Sequence, residues 1–210
     1  MGEGRLEMAK IDTIEKLREI YTAASPRAVA KQITRIDPHA EKFIAASPFL
    51  VMSTYGPDGL CDISPKGDAA GFVAVLDDKT LAIPDRRGNN RLDGLTNLIS
   101  NPAIGLIFFL PGMNETLRVQ GTAEIRDDQD LLERFVENGK TPASVTVIKV
   151  SELYFHCAKA LMRSNLWDPA NYINRDMFPS IGQIIKDQAE LDIVAESQEE
   201  MIEHYKNTMD

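Results

Sequence analysis

The chain has 210 residues, of which 43% are hydrophobic and 26% charged, and a net charge of −9. A chain of this length buries roughly 70% of its unfolded surface, so it forms a full core without staples; collagen-like, disordered and disulfide-scaffold classes are excluded. Two cysteines, Cys61 and Cys157, and three histidines are too few for a zinc cluster or a disulfide framework, and the acidic balance argues against nucleic acid or an anionic membrane as partner.

The opening MGEGRLEMAK lacks the ~7–15-residue apolar stretch of a secretory signal. The first 47 residues read as a helical arm. Ile11, Ile14, Leu17, Arg18 and Tyr21 follow helical spacing, and Ser25-Pro26 closes one helix and opens the next. A third helix is expected over residues 39–46.

From Phe49 the pattern changes to strands. FLVMSTY is a strand-length run, GPDG a turn and LCDISPK the returning strand. Further strands are expected over residues 72–75, 80–83, 103–109, 115–125 and 145–155. The apolar run 103–110 is far short of the ~20 residues a membrane helix needs. Leu92, Leu95, Leu98 and Ile99 make the stripe of one interrupting helix, and residues 128–138 read as a second. Residues 164–180, SNLWDPANYINRDMFPS, read as an ordered loop, because Trp167, Tyr172 and Phe178 need covering. A final helix is expected from Ala189, in a tail whose last 24 residues hold eight acids against Lys206 alone. The expected class is α+β, an antiparallel barrel with helices at both ends, in a soluble cytoplasmic protein. The parts are an arm over 1–47, the barrel over 48–163, and a loop and acidic helix over 164–210 of the same domain.

Most catalytic templates fail: there is no glycine-rich dinucleotide fingerprint, P-loop, Gly-x-Ser-x-Gly elbow or His-Glu-x-x-His. Cys157 follows His156, but neighbours on a strand point to opposite faces, so an inert buried thiol is the ordinary reading. The segment IPDRRGNNRLDGLTNLISNP carries more. Arg86, Arg87 and Arg91 fall within six residues of an acidic chain, on a strand–loop–helix with Asn89 or Asn90 as N-cap. Arg91 then lies in the first helical turn, where the dipole disfavours a cation by roughly a few tenths of a kcal/mol. Either an anion sits at that helix start, or the loop is solvated and its arginines pair with acids such as Asp85 and Asp93. In ETLRVQGTAEI, Leu117, Val119, Ala123 and Ile125 share one side, leaving Arg118 and Gln120 on the other with Thr122. That face suits a ligand with phosphate and amide-like edges, or it is a solvent- or dimer-facing surface.

Three stretches in this order, FLVMSTYGPDGLCDISPKGDAAGFV, LAIPDRRGNNRLDGLTNLISNPAIGLIFFLPG and HCAKALMRSNLWDP, resemble the FMN-binding split β-barrel family related to pyridoxamine 5′-phosphate oxidase. The resemblance covers roughly residues 40–170 and is nearest to a bacterial subgroup of uncharacterised FMN-dependent members. It implies a homodimer with FMN at the subunit interface. It maps the phosphate grip to Arg86, Asn89, Asn90 and Arg91, and the strand beside the flavin ring to Ile63, Ser64, Pro65 and Lys66. Arg118 and Gln120 fall near the flavin, and Lys159, Arg163, Ser164 and Trp167 look like the second subunit's contribution. The implied activity is an FMN-dependent oxidoreductase acting on a small molecule, the alternative a non-catalytic flavin-binding or redox-sensing protein. A barrel holding another phosphorylated small molecule is the reading without flavin. One departure counts against pyridoxamine phosphate oxidation itself: in place of the oxidase's Arg- and His-containing end, WDPANYINRDMFPS leads into an acidic helix.

Overall fold

A computed structural model describes residues 10–209 and divides the chain into two compact units, residues 1–32 and 33–210. In the first unit, α1 (Ile14–Ile20) is capped by Thr13, whose hydroxyl accepts from the Lys16 amide. In α2 (Pro26–Ala30) Ser25 is the cap and Pro26 the first residue, so its missing N–H costs nothing. Neither helix buries a residue.

The second unit opens with α3 (Pro38–Ala46), capped by Asp37, and then the hairpin β1 (Phe49–Tyr55) and β2 (Cys61–Gly67). β3 (Ala74–Asp77) and β4 (Thr80–Asp85) form a second hairpin; α4 (Asp93–Ser100) leads to β5 (Ala103–Phe109) and β6 (Thr116–Arg126). After α5 (Gln129–Glu133) comes the longest strand, β7 (Ser144–His156). The strands form one antiparallel sheet in the order β2-β1-β5-β6-β7-β4-β3.

This order bends the sheet. β2 and β3 lie on opposite edges, yet only residues 68–73 join them. Laid flat, seven strands would separate those edges by about 29 Å, while the link reaches about 25 Å at full stretch. The sheet therefore curls into a barrel, and it stays split: among the described residues β2 is laddered only to β1. Two ion pairs cross the split instead, Lys66 Nζ to Asp85 at 2.6 Å and Arg86 Nε to Asp68 at 3.0 Å.

Alternation decides which residues fill the barrel. Leu50 and Met52 of β1, Leu106 and Phe108 of β5, and Leu117 and Val119 of β6 are buried with Ile148 and Leu153 of β7. Phe43 and Ile44 of α3 and Leu98 of α4 close the core, Phe43 meeting Phe155 edge-on at 5.4 Å. Each such side chain contributes about 1.5–3 kcal/mol. A smaller cluster, Ala82, Leu132, Phe135 and Val145, packs beneath α5.

Several expected boundaries move. α5 stops at Glu133 rather than reaching residue 138, because Asn138 and Gly139 take left-handed backbone and Glu137 pairs with Lys140. α4 begins at Asp93: Asn90 is left-handed at φ 58°, so neither Asn89 nor Asn90 is its cap and Arg91 precedes its first turn. Leu92 occupies the cap position without a side-chain hydrogen bond. The acidic tail is not one helix from Ala189. Its helix, α8 (Gln198–Thr208), begins nine residues later at a Ser197–Glu200 capping box, and a separate helix the sequence reading did not place, α7 (Ile181–Gln188), precedes Ala189. Within 164–180, α6 (Lys159–Ser164) is followed by single 3₁₀ turns at Pro169–Asn171 and Arg175–Met177. There Trp167 is half-buried, but Tyr172 and Phe178 stay exposed on the single chain. No described helix is long and apolar enough to cross a membrane.

Candidate functional site

The end of β4, the loop after it and the start of α4 enclose a cavity of about 290 Å³. β1 and β2 supply its floor. Because Met52 pairs with Ser64 and Leu50 with Lys66, these side chains share one face, and Met52, Ser64 and Lys66 all line the cavity. Arg86, Arg87, Asn89, Asn90 and Arg91 form the wall, Ala143 and Ser144 at the start of β7 the far side. Gly94 lets α4 come down onto the floor: a Cβ there would lie 3.3 Å from Met52 Cε and 3.4 Å from Thr54 Oγ1. Behind it, the buried Asn97 donates to Thr54 Oγ1 at 3.1 Å and to Asp62 at 2.7 Å, tying α4 to both strands of the hairpin.

The cations of this wall are not equivalent. Arg86 donates from Nε to Asp68, from Nη1 to the Phe135 carbonyl at 2.8 Å and from Nη2 to Glu137 at 3.2 Å. All three guanidinium nitrogens are thereby committed, and Arg86 joins β2, β4 and the segment after α5 rather than standing ready for a ligand. Lys66 is held by Asp85, with side chains 25% and 15% exposed. Arg91 is different. It is 78% exposed and donates from Nε to Asp93 at 2.6 Å. That hydrogen bond and the Asp93 charge hold its guanidinium above the ordinary arginine value, with a smaller push from Asp62. The loop conformation is set locally: Asn89 Oδ1 accepts from the Arg91 amide at 3.0 Å, and Asn90 turns the chain.

Ile63, Arg118 and Gln120 lie elsewhere. With Val51, Ser53, Gly105 and Ile107 they border a shallow depression of about 220 Å³ on the opposite face of the sheet. Pro65 shares that face through its pairing with Val51. Arg118 donates to the Tyr154 hydroxyl at 2.9 Å and lies 5.4 Å from the centre of its ring. A third place holds Lys159, Arg163 and Ser164 on α6 with Trp167 just beyond; Trp167 Nε1 donates to the Met113 carbonyl at 2.8 Å, and Lys159 and Arg163 are exposed. The residues named from the sequence thus form three groups on one chain. Cys157, expected to be buried, is instead exposed, because it lies past the end of β7, and the His156 ring lies 5.0 Å from that of Tyr154.

Asp85, Ala143 and Ser144 complete the cavity wall, yet the sequence offers no ligand signal for them. Ala143 and Ser144 arrive through the β4–β7 ladder, in which Asp85 pairs with Ser144. Among the described residues no group of His, Cys, Asp or Glu could hold a metal ion.

An open antiparallel barrel with a basic cavity of about 290 Å³ at a strand–loop–helix defines the class. A family model described as pyridoxamine 5′-phosphate oxidase matches residues 36–157, and the chain belongs to that family. Solved structures to which the chain is similar include HupZ of Group A Streptococcus (22% identity over 57% of this chain and 93% of that one, TM-score 0.47). A putative pyridoxamine 5′-phosphate oxidase of Lactobacillus delbrueckii matches at 18% identity over 58% and 95%, TM-score 0.46. An FMN-binding protein of Syntrophomonas wolfei matches at 13% over 56% and 84%, TM-score 0.44. No curated protein matches the chain.

Proposed function

We propose that the chain is an FMN-binding flavoprotein and an FMN-dependent oxidoreductase acting on a small molecule, with the flavin phosphate in the cavity beside α4. The observation that carries this reading is the wall of that cavity: an exposed arginine, two asparagines and a helix start face one space. Charge-assisted bonds from Arg91, an amide from Asn90 and the hydroxyls of Ser64 and Ser144 suit a phosphate followed by a polyol. Arg86 supports the wall from behind. Lys66, held by Asp85, would set the charge beside the ring.

A cavity of about 290 Å³ is at the lower end of small-molecule sites, which run from about 300 to 1,000 Å³. The ring of a flavin would therefore extend beyond one chain's cavity. This favours a homodimer, the commonest closed assembly, in which a second copy completes the site. The outer face with Ile63, Pro65, Arg118 and Gln120, and the α6 group with Lys159, Arg163, Ser164 and Trp167, are the surfaces we assign to that role. Trp167 would serve as a rigid apolar wall and Arg163 as a cation. Bound flavin supplies the redox chemistry; the chain binds it, orients it and keeps water from it.

Calorimetric titration with FMN tests the reading. Arg91→Ala and Asn90→Ala are each expected to weaken binding about tenfold through loss of a charge-assisted or amide contact. Arg91 is exposed, so its variant should keep the melting temperature; Asn90→Ala also places alanine in left-handed backbone, so a loss of about 1 kcal/mol in stability is expected with it. Unchanged affinity in both variants would place the phosphate elsewhere.

A further inference from the structure

Three of the cavity's cations already face carboxylates of this chain: Lys66 faces Asp85, Arg86 faces Asp68 and Glu137, and Arg91 faces Asp93. These contacts differ in how firmly they hold. The Lys66–Asp85 and Arg86–Asp68 contacts are largely shielded and join distant parts of the chain, whereas the Arg91–Asp93 side chains are 78% and 45% exposed and only two residues apart. An ion pair in contact with water is weak and easily exchanged. Asp93 is also the first residue of α4, at a helix start whose cap, Leu92, offers no side-chain acceptor. Asp62, the other acid near Arg91, is held back by Asn97.

We propose that Asp93 is a built-in competitor for the anion site: its carboxylate and a phosphorylated ligand contend for the Arg91 guanidinium. The affinity is thereby held about fivefold below what Arg91 would give without that exchange. The proposal rests on the preceding reading for the identity of the ligand as FMN, but not for the exchange itself.

The test is calorimetric titration of the full-length protein with FMN and, separately, with inorganic phosphate. Asp93→Asn keeps the size of the side chain and removes its charge; it should tighten binding of either probe about fivefold. In an Arg91→Ala background the same substitution should give no gain. Asp128→Asn removes a carboxylate from another exposed arginine pair, Arg126–Asp128 at 2.6 Å, and should leave the affinity as it is. Unchanged or weaker binding by Asp93→Asn overturns the proposal. So does an equal gain in the Arg91→Ala background, which would mark general charge repulsion. Phosphate binding with this Asp93 dependence but without FMN binding removes the flavin reading and keeps the exchange. Binding of neither probe, by the native chain or by Asp93→Asn, overturns both.

Discussion

Gly121→Ala should destabilise the barrel by about 3–4 kcal/mol, read as a lower denaturation midpoint with little change in slope. β6 and β7 shift register between Gln120–Glu152 and Gly121–Val150, so Ser151 is an extra residue on β7. The bulge brings the Lys149 carbonyl directly over Gly121, and an alanine Cβ would lie inside that oxygen's contact radius. Backbone on both sides would have to give way, within the pair of strands that carries the core residues Leu117, Val119, Ile148 and Leu153. The close approach alone demands glycine here. A midpoint within the error of the native one would show that the bulge relaxes freely.

The second large effect belongs to Arg86. Arg86→Ala leaves the Asp68 and Glu137 carboxylates and the Phe135 carbonyl without their donor, at a split that no backbone ladder crosses. The side chains of Arg86 and Asp68 are each 20% exposed, so solvent repays part of the loss; about 2–3 kcal/mol is expected. For a chain of this size that lowers the melting temperature by about 5–10 °C. Arg86→Lys should recover little of it, because one ammonium cannot reach the three acceptors that the planar guanidinium meets. An unchanged melting temperature in Arg86→Ala would mean that Lys66–Asp85 alone holds the split closed.

The strands were the most legible part of the sequence. FLVMSTY coincides with β1 and residues 103–109 with β5, since each is an apolar run of strand length bounded by turn residues. Helix ends were less so. The reading of Asn89 or Asn90 as a cap fails on backbone conformation, because asparagine serves equally as a cap and as a left-handed turn residue. The cluster of arginines was visible, but its division of labour was not. Asp68 lies 18 residues from Arg86 and Glu137 lies 51 away, and only the folded sheet brings them together. Asp93, by contrast, was foreseeable as a partner of the loop's arginines, two positions from Arg91. The tail shows the limit of composition: eight acids in 24 residues go with a helix but do not mark its late start at Gln198.

The proposed role of the cavity beside α4 is to hold the phosphate that anchors a flavin. The most direct measurement is a paired titration of the native protein with FMN and with riboflavin, identical but for that phosphate. Losing two or more charge-assisted hydrogen bonds of about 1.5–3 kcal/mol each predicts at least about a hundredfold weaker binding of riboflavin. Equal affinity for the two flavins would contradict the account.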